Sequence, residues 1–340
     1  MNQFSSIMTS VYVSGASGFI AQHIIKQLLE KKYKVVGSVR STEKGDGLVK
    51  NFGPDFLYEI VGDIAAEGAF DDSLKKHPEV TIFLHTASPV TFTSDDVEND
   101  LLIPAQKGTV NALEGIEKYA PQIKKVVITS SYVSIWDISK EFSDPSHLVN
   151  EQSWNPVTPT EAKLNALMAY CASKTYAERA AWDFVKKNKP NFTLSTVNPS
   201  YVFGPQAFEV KDTLNLSSEL VQNFLQLKST DLLPELSSAF VDVRDVAAAH
   251  LVAFEKDEAA NQRLVLAAHQ FIAQEIADII HKRFPDKSKN VPIGTPGQTA
   301  PIESWSRKDF SKTEKLLGFE YIGLEQSVVD AIDQIFNKKI

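Results

Sequence analysis

The chain has little cysteine and no long apolar run. Cys171 is the only cysteine among 340 residues, which excludes an intramolecular disulfide and favours a reducing compartment. No segment offers the ~18 consecutive apolar residues that a membrane-spanning helix needs, and residues 1–10 lack the basic and apolar regions of a signal peptide. We therefore expect a cytoplasmic protein without a membrane partner.

Basic charge is also in short supply. Lys and Arg total 35 against 43 Asp and Glu, which gives a formal net charge of -8. Nucleic acid is not an expected partner, because its binding needs a concentrated positive surface. The sequence also lacks CxxC, HExxH and EF-hand spacings, so no metal site is expected.

The chain does contain the alternation that is typical of a doubly wound α/β fold. Short runs rich in Val and Ile alternate with helical patterns in the first half, as buried parallel strands alternate with crossover helices. The sequence predicts a Rossmann-like parallel sheet with helices on both faces and a smaller C-terminal substrate lobe. The expected boundaries are 8–202, with a return at about 237–270, for the dinucleotide-binding domain, 203–236 and 285–320 for the lobe, and 321–340 for a C-terminal helix. The predicted strands are 10–15, 34–40, 57–63, 81–87, 125–131 and 192–200, and the predicted helices are 21–31, 105–119 and 170–187.

A glycine-rich turn follows the first predicted strand. Residues 15–21 form a GxxGxxA motif, with a helix starting inside it. Gly15 and Gly18 allow the backbone to turn sharply and approach a pyrophosphate, which the amides and dipole of the helix N-terminus then bind. Ala21 replaces a third glycine, at a position concerned with packing of the helix on the strand. Because strand, turn and helix come in the required order, the motif predicts a dinucleotide site.

The end of the second predicted strand indicates which dinucleotide binds. An NAD-selective site carries Asp or Glu about 20 residues after the loop, where it binds the ribose 2′-hydroxyl. Here the strand ends at Arg40, which together with Lys44 suits the 2′-phosphate of NADP(H). The alternative is that both cations are merely solvated surface residues. Asp63, after the third strand, is placed either to contact the adenine or to form a turn.

Tyr170 and Lys174 lie four residues apart in a predicted helix, so their side chains share one face. The unperturbed pKa of Tyr is about 10, and a nearby ammonium would lower it towards the range of a proton donor at neutral pH. YxxxK alone is common in unrelated helices. The pair Ser130 and Ser131 gives it weight, because they end a predicted strand and ligands of doubly wound sheets bind beyond that end.

These motifs resemble those of the extended short-chain dehydrogenase/reductase family. The similarity is greatest to its subgroup of yeast NADPH-dependent methylglyoxal and carbonyl reductases and plant dihydroflavonol and cinnamoyl-CoA reductases. The resemblance spans nearly the whole chain and implies an NADPH-dependent reductase of aldehydes, dicarbonyls and ketones. The matching segments are GASGFIA at 15–21, HTASP at 85–89, SSY at 130–132, YCASK at 170–174, NPSYVFGP at 198–205 and DVRDV at 242–246.

The resemblance also implies individual roles. Tyr170 would donate a proton to the carbonyl oxygen, Lys174 would lower the Tyr170 pKa and bind the nicotinamide ribose, and Ser131 would hydrogen-bond the oxygen. The implied partners are a small carbonyl substrate and, through helix pairing, a second copy of the chain. Besides Tyr170 and Lys174, the implied NADPH-binding residues are Gly15, Ser17, Gly18, Phe19, Ile20, Arg40, Lys44, Asp63, Ile64, Thr86, Ala87, Ser88, Pro199, Val202 and Ser217. The expected apolar substrate pocket contains Val90, Phe92, Tyr132 and Tyr201, with Trp136 near them.

One departure from the family concerns a fourth catalytic residue. Many relatives carry an Asn that bridges to the lysine through water, whereas this chain has Ile103 and Pro104 there and Asn111 further along. His85 is expected to be a hydrogen-bonded part of the cofactor loop rather than a base. Two other functions stay open: an NAD-type nucleotide-sugar epimerase or dehydratase, against which Arg40 argues, and a non-catalytic NADP(H) sensor, which would typically lack the Tyr or the Lys.

Overall fold

The runs rich in Val and Ile form buried strands, because β-branched side chains fit a pleated surface that is covered on both faces. The structure is a computed structural model that describes residues 9–89, 96–208 and 216–336, with 216–218 described by their backbone alone. In this part of the chain the strands are β1 (Ser10–Ser14), β2 (Lys34–Val39), β3 (Phe56–Ile60), β4 (Val80–His85), β5 (Lys125–Thr129), β6 (Leu148–Asn150), β7 (Thr193–Pro199), β8 (Tyr201–Phe203), β9 (Ser237–Asp242), β10 (Arg263–Leu266), β11 (His269–Ile272) and β12 (Arg307–Asp309). The helices are α1 (Phe19–Glu30), α2 (Thr42–Phe52), α3 (Asp71–Lys76), α4 (Ile103–Tyr119), α5 (Ala166–Asn188), α6 (Leu216–Gln226), α7 (Val243–Glu255), α8 (Ala273–Arg283), α9 (Ser311–Leu317) and α10 (Leu324–Phe336).

Seven strands form the main sheet, in the order β10-β7-β5-β4-β1-β2-β3. β1 pairs in parallel with β2 on one side and with β4 on the other, so the strand order changes direction between β1 and β4. The carboxyl ends of these two strands therefore form the topological switch point where ligands of such sheets bind. Each predicted strand and helix has a counterpart, and the predicted Rossmann-like doubly wound fold is confirmed.

An aromatic stack forms part of the core under the main sheet. The Tyr12 ring of β1 stacks on Phe83 of β4 at 4.8 Å between centroids, and Phe70 meets both rings edge-on. All three side chains are fully buried. The polar end of Tyr12 is satisfied, because its hydroxyl donates to Ser73 Oγ at 3.0 Å. Burial of these large rings stabilises the strands whose ends carry the site.

The chain divides into two compact units that share chain segments. Among the described residues, the first unit consists of those in 1–137, 152–198 and 247–264, and the second of those in 138–151, 199–246 and 265–340. The division crosses the continuous helix α7, whose residues 247–255 belong to the first unit. The predicted domain boundaries, which return 237–270 to the sheet domain, stay a prediction beside this division.

The second unit has its own small sheet and core. Its strands follow the order β11-β9-β8, and β6 pairs with β12 in a separate two-stranded sheet. Phe203, Phe240 and Phe271, one from each strand of the three-stranded sheet, pack together and are fully buried. α6, α8 and α10 contribute most of the remaining apolar side chains of this core. No helix of the described ranges is long and apolar enough to cross a bilayer.

Candidate active site

The glycine-rich turn connects β1 to α1 and has the shape of a phosphate loop. Gly15 has φ of +67°, and a Cβ there would lie 2.9 Å from the Ala87 Cα, so both conformation and close approach require glycine. Gly18 is the N-cap of α1, and the first turn of this helix carries no acidic residue. Because the first amides of a helix lack intrahelical acceptors, those that begin at Phe19 can bind an anion. This loop, which includes Ser17 and Ile20, therefore fits a dinucleotide pyrophosphate.

Arg40 and Lys44 are both exposed where β2 gives way to α2. Ser41 caps this helix, and its Oγ accepts from the Lys44 amide at 3.5 Å. The two cations thus lie at the helix N-terminus, whose dipole adds to their positive field, and Glu43 is the acid in the same turn. This arrangement fits a phosphate better than a ribose hydroxyl.

The loop after β3 is held by the following helix. Asp63 Oδ1 accepts from the amide two residues further on at 2.8 Å, so this carboxylate forms a turn. Asn111 of α4 donates Nδ2 hydrogens to the carbonyl oxygens of Ile64 and Ala66, at 2.9 and 2.8 Å. Asn111 therefore supports the Asp63 loop, and both of its amide protons are used there.

Ser14 and His85 connect the ends of the two strands at the switch point. Ser14 Oγ accepts from the amides of Thr86 and Ala87, each at 3.1 Å, and lies 2.9 Å from His85 Nδ1. With both acceptor sites used, the Ser14 hydroxyl donates to Nδ1, so His85 carries its own proton on Nε2. Burial, followed by the charge of Lys174, lowers the pKa of His85 to about 3. His85 therefore stays neutral and supports the loop that begins at Thr86.

The His85 Nε2 has no hydrogen-bond partner in the part of the chain that the structure describes, although it is buried. A buried N–H donor is costly to leave unpaired. This orphaned group lies at the switch point beside the predicted cofactor residues Thr86, Ala87 and Ser88. Together with the glycine turn, the unpaired His85 Nε2 fits a ligand bound at this edge of the sheet.

Ser131 lies just beyond β5 and begins a 3-10 turn at Tyr132–Ser134. Its Oγ accepts from the Val133 amide at 3.4 Å, so the Ser131 hydroxyl proton remains available to another acceptor. Ser131 is 8% exposed. Tyr132 is 3% exposed and offers little surface to a substrate.

Tyr170 and Lys174 occupy successive turns of α5, which packs against the turn that Ser131 begins. The Lys174 Nζ lies 5.9 Å from the centroid of the Tyr170 ring. Burial lowers the pKa of Lys174 to about 8, so its ammonium form predominates at neutral pH. The structure thus brings the predicted phenol, ammonium and hydroxyl together on neighbouring elements of the first unit.

The buried Lys174 ammonium leads to a stability prediction for the protein without cofactor. The unfolded pKa is 10.5 and the folded one about 8, so between these values the unfolded state binds more protons and the unfolding free energy rises with pH. Lys174→Met removes the buried charge and should stabilise the protein at pH 7 by about 1–3 kcal/mol, a gain that disappears by about pH 10.5. Urea unfolding across this pH range measures it.

Lys50→Met is the control for this prediction, because it removes an exposed lysine, in the last turn of α2. Its unfolding free energy should follow that of the wild type at every pH. If Lys174→Met shows the same pH dependence as the wild type, the ammonium is not the source of the effect.

The other predicted residues are placed as follows. Pro199 ends β7, Val202 is buried in β8, and Tyr201 is 40% exposed with its ring against Phe203 and Phe271 in the second unit. Trp136 is half-buried. Val90, Phe92 and the Ser217 side chain lie outside the described residues. The cofactor and pocket roles of all these residues stay predictions.

Sequence reasoning missed the buried polar groups that hold the turn containing Ser131. Glu178 of α5 is 1% exposed and lies 2.6 Å from Arg263 Nε. Glu178 continues the spacing of Tyr170 and Lys174 by four residues, which was the available signal. Arg263 lies 85 residues further along, and no local pattern connects it to this helix.

The comparison with known proteins identifies the class to which this fold and site belong. The model of the NAD dependent epimerase/dehydratase family matches residues 11–267, and the chain belongs to this family. The NADPH-dependent methylglyoxal reductase GRE2 of Saccharomyces cerevisiae is 46% identical over 335 residues, with 96% of this chain and 98% of that protein covered. The crystal structure of Gre2 from Candida albicans in complex with NADPH is 49% identical, with a TM-score of 0.94 over 98% of this chain and 100% of that chain.

A plant relative extends the comparison. The cinnamoyl-CoA reductase CAD2 of Medicago truncatula is 33% identical over 341 residues, and 98% of each chain is covered. These relatives confirm the predicted resemblance to yeast methylglyoxal reductases and plant cinnamoyl-CoA reductases.

Proposed function

We propose that this protein is an NADPH-dependent carbonyl reductase that converts aldehydes, dicarbonyls and ketones to alcohols. The observation that carries the proposal is the buried Lys174 ammonium, 5.9 Å from the centroid of the Tyr170 ring, on a helix that packs against the Ser131 turn. The reductase names of the relatives, together with NADPH in the Candida albicans structure, support the same activity.

Each of the three side chains has a separate task in the reaction. NADPH supplies the hydride when it is bound. The Tyr170 hydroxyl donates its proton to the carbonyl oxygen as negative charge develops there, and Ser131 Oγ–H hydrogen-bonds the same oxygen. The Lys174 ammonium stabilises the phenolate that remains on Tyr170, and it also binds the nicotinamide ribose.

The choice of NADPH rests on the start of α2. Arg40 and Lys44 would bind the 2′-phosphate there, together with the amides of the helix N-terminus. The glycine turn and α1 would bind the pyrophosphate. An NAD-type epimerase is less well supported, because β2 ends at Val39 and is followed by Arg40 rather than by a carboxylate.

The proposal extends to the setting of the enzyme. We place it in the cytoplasm. This is a reducing environment, in which NADPH reductases work and the buried thiol of Cys171 stays reduced. Tyr201, exposed on β8, would contact apolar substituents of the substrate. We also propose a homodimer, which light scattering of the purified protein would test.

The test of the function is a panel of aldehydes, dicarbonyls and ketones, followed by the loss of nicotinamide absorbance with NADPH and separately with NADH. Reduction of several carbonyl compounds with a preference for NADPH is expected. Interconversion of nucleotide sugars with NAD would establish the epimerase instead. NADPH binding without turnover on any carbonyl compound would establish the non-catalytic sensor.

A further inference from the structure

Glu178 is a buried carboxylate to which neither hydride transfer nor proton donation assigns a task. It lies on α5 at the spacing 170, 174, 178, which places it on the same face as Tyr170 and Lys174. Its residue is 1% exposed. Burial of a charged carboxylate is costly unless many donors surround it, so its contacts indicate what it does.

One carboxylate oxygen of Glu178 accepts hydrogen bonds from the turn that contains Ser131. Ser130 Oγ donates to Oε2, Ser134 Oγ lies 2.6 Å from Oε2, and Asn198 Nδ2 donates to it at 2.7 Å. Ser130, just before Ser131, and Ser134, three residues after it, are therefore tied to a single oxygen. The Ser131 carbonyl is fixed as well, because it accepts from the Ser134 amide at 3.0 Å.

The other carboxylate oxygen of Glu178 binds a cation. Arg263 Nε donates to Oε1 at 2.6 Å, and Trp182 Nε1 donates to it at 3.2 Å. The Arg263 guanidinium also donates to the Ser153 carbonyl at 2.6 Å and lies 4.0 Å from the ring centroid of Trp154. Arg263 is thus itself held in place by groups of the same unit.

Glu178 is ionised in this setting. Burial alone would raise the pKa of Glu178, but the charge and hydrogen bond of Arg263 and the serine hydroxyls outweigh it and lower the pKa overall. A carboxylate can only accept hydrogen bonds, so the serine and asparagine groups must all point towards it. The ionised carboxylate therefore holds the turn at Ser131 through donors from Ser130 and Ser134.

We propose that Glu178 is the positioning residue of Ser131. Its carboxylate fixes the turn at 130–134 through hydrogen bonds from Ser130 and Ser134. The Ser131 Oγ is thereby held beside Tyr170 and Lys174 on the same side of α5. This inference rests on the proposed function, in which Ser131 hydrogen-bonds the carbonyl oxygen. The effect of Glu178 on the reaction passes through Ser131 and not through the cofactor.

The first test is Glu178→Gln, which keeps the side-chain volume and replaces one acceptor oxygen by an NH2 donor. In either orientation the new NH2 group faces donors, either Arg263 or those of the serine turn, so at least one hydrogen bond of the network is lost. We expect kcat to fall about ten- to a hundredfold, the scale of a misplacement of about 1 Å. The dissociation constant of NADPH should change by less than about twofold, because the hydrogen bonds of the Glu178 carboxylate within the described ranges go to residues outside the predicted cofactor set.

A double-mutant cycle with Ser131→Ala separates positioning from general damage. Ser131→Ala should itself lower kcat, and in its background Glu178→Gln should lower kcat by no more than about twofold. If Glu178→Gln has its full effect without Ser131, the positioning role is wrong. If Ser131→Ala leaves kcat unchanged, the role of Ser131 in the proposed function is wrong instead, so the two failures are distinguishable.

Glu141→Gln is the matched control, because Glu141 is also a buried carboxylate with a cation, Lys308, at 2.8 Å, but belongs to the second unit. It should destabilise the protein while kcat of the folded enzyme is retained. If Glu178→Gln does not fold, Ser130→Ala removes one donor and leaves the ion pair with Arg263 intact. That variant should lower kcat in the presence of Ser131 and have no effect in its absence; an equal effect in both backgrounds contradicts the proposal.

Discussion

Tyr170→Phe is expected to lower kcat for carbonyl reduction by at least about a hundredfold, the usual scale for loss of a general acid. The substitution removes only the hydroxyl and leaves the ring beside Lys174, so folding and NADPH binding should be retained. In the direction of alcohol oxidation the wild-type rate should rise with pH as the phenol ionises. This rise should be absent in Tyr170→Phe. Steady-state rates in both directions, with NADPH affinity from fluorescence titration, measure these effects.

Tyr176→Phe provides a control on the same helix. The Tyr176 hydroxyl donates to the Val157 carbonyl at 3.0 Å and has no part in the proposed reaction. Its removal should change kcat by no more than about twofold. Reduction of the best aldehyde by Tyr170→Phe at the wild-type rate would show that another group supplies the proton.

Arg40→Ala should weaken NADPH binding by about ten- to a hundredfold, which corresponds to loss of a charge-assisted contact of about 1.5–3 kcal/mol. NADH lacks the 2′-phosphate, so its dissociation constant should change little. Because Arg40 is exposed, the preference of the wild type for NADPH should also decrease as salt concentration rises. Titration of both cofactors with both proteins, at low and high salt, gives the comparison.

Lys50→Ala is the control for Arg40→Ala, because Lys50 is an exposed cation at the opposite end of α2. It alters the net charge equally but should leave the ratio of the two affinities unchanged. Equal binding of NADPH and NADH by the wild type would exclude a 2′-phosphate site at Arg40.

Local sequence patterns were sufficient to predict six of the seven strands of the main sheet, all except β10, and the turn at Gly15. Strand periodicity is a property of a few neighbouring residues, and the glycine turn requires a conformation that few other residues adopt. The helix with Tyr170 and Lys174 was predicted for the same reason, since its spacing brings both side chains to one face. The structure extends this helix to Ala166, where Asn165 caps it with an acceptor for the Met168 amide.

Contacts between distant residues could not be predicted in this way. The hydrogen bond between Ser14 and His85 joins residues 71 positions apart, and the ion pair of Glu178 with Arg263 joins residues 85 positions apart. Each depends on which strands become neighbours, and a single sequence does not encode that in a local pattern. Glu178 itself was accessible from its spacing, but its task becomes apparent only with the donors around it.

The sharing of chain segments between the two units has a consequence for synthesis on the ribosome. The first unit needs residues 247–264, which supply most of α7 and the start of the edge strand β10. In this segment His250 Nε2 lies 2.7 Å from Thr129 Oγ1, and Glu255 accepts from Lys31. A nascent chain of about 200 residues therefore lacks part of its dinucleotide-binding unit. That unit can complete its fold only after residues 199–246, which belong to the second unit, have been translated. A gene fragment that ends at residue 198 should accordingly yield an aggregation-prone product with an unpaired edge at β7, rather than an independently folded cofactor-binding module.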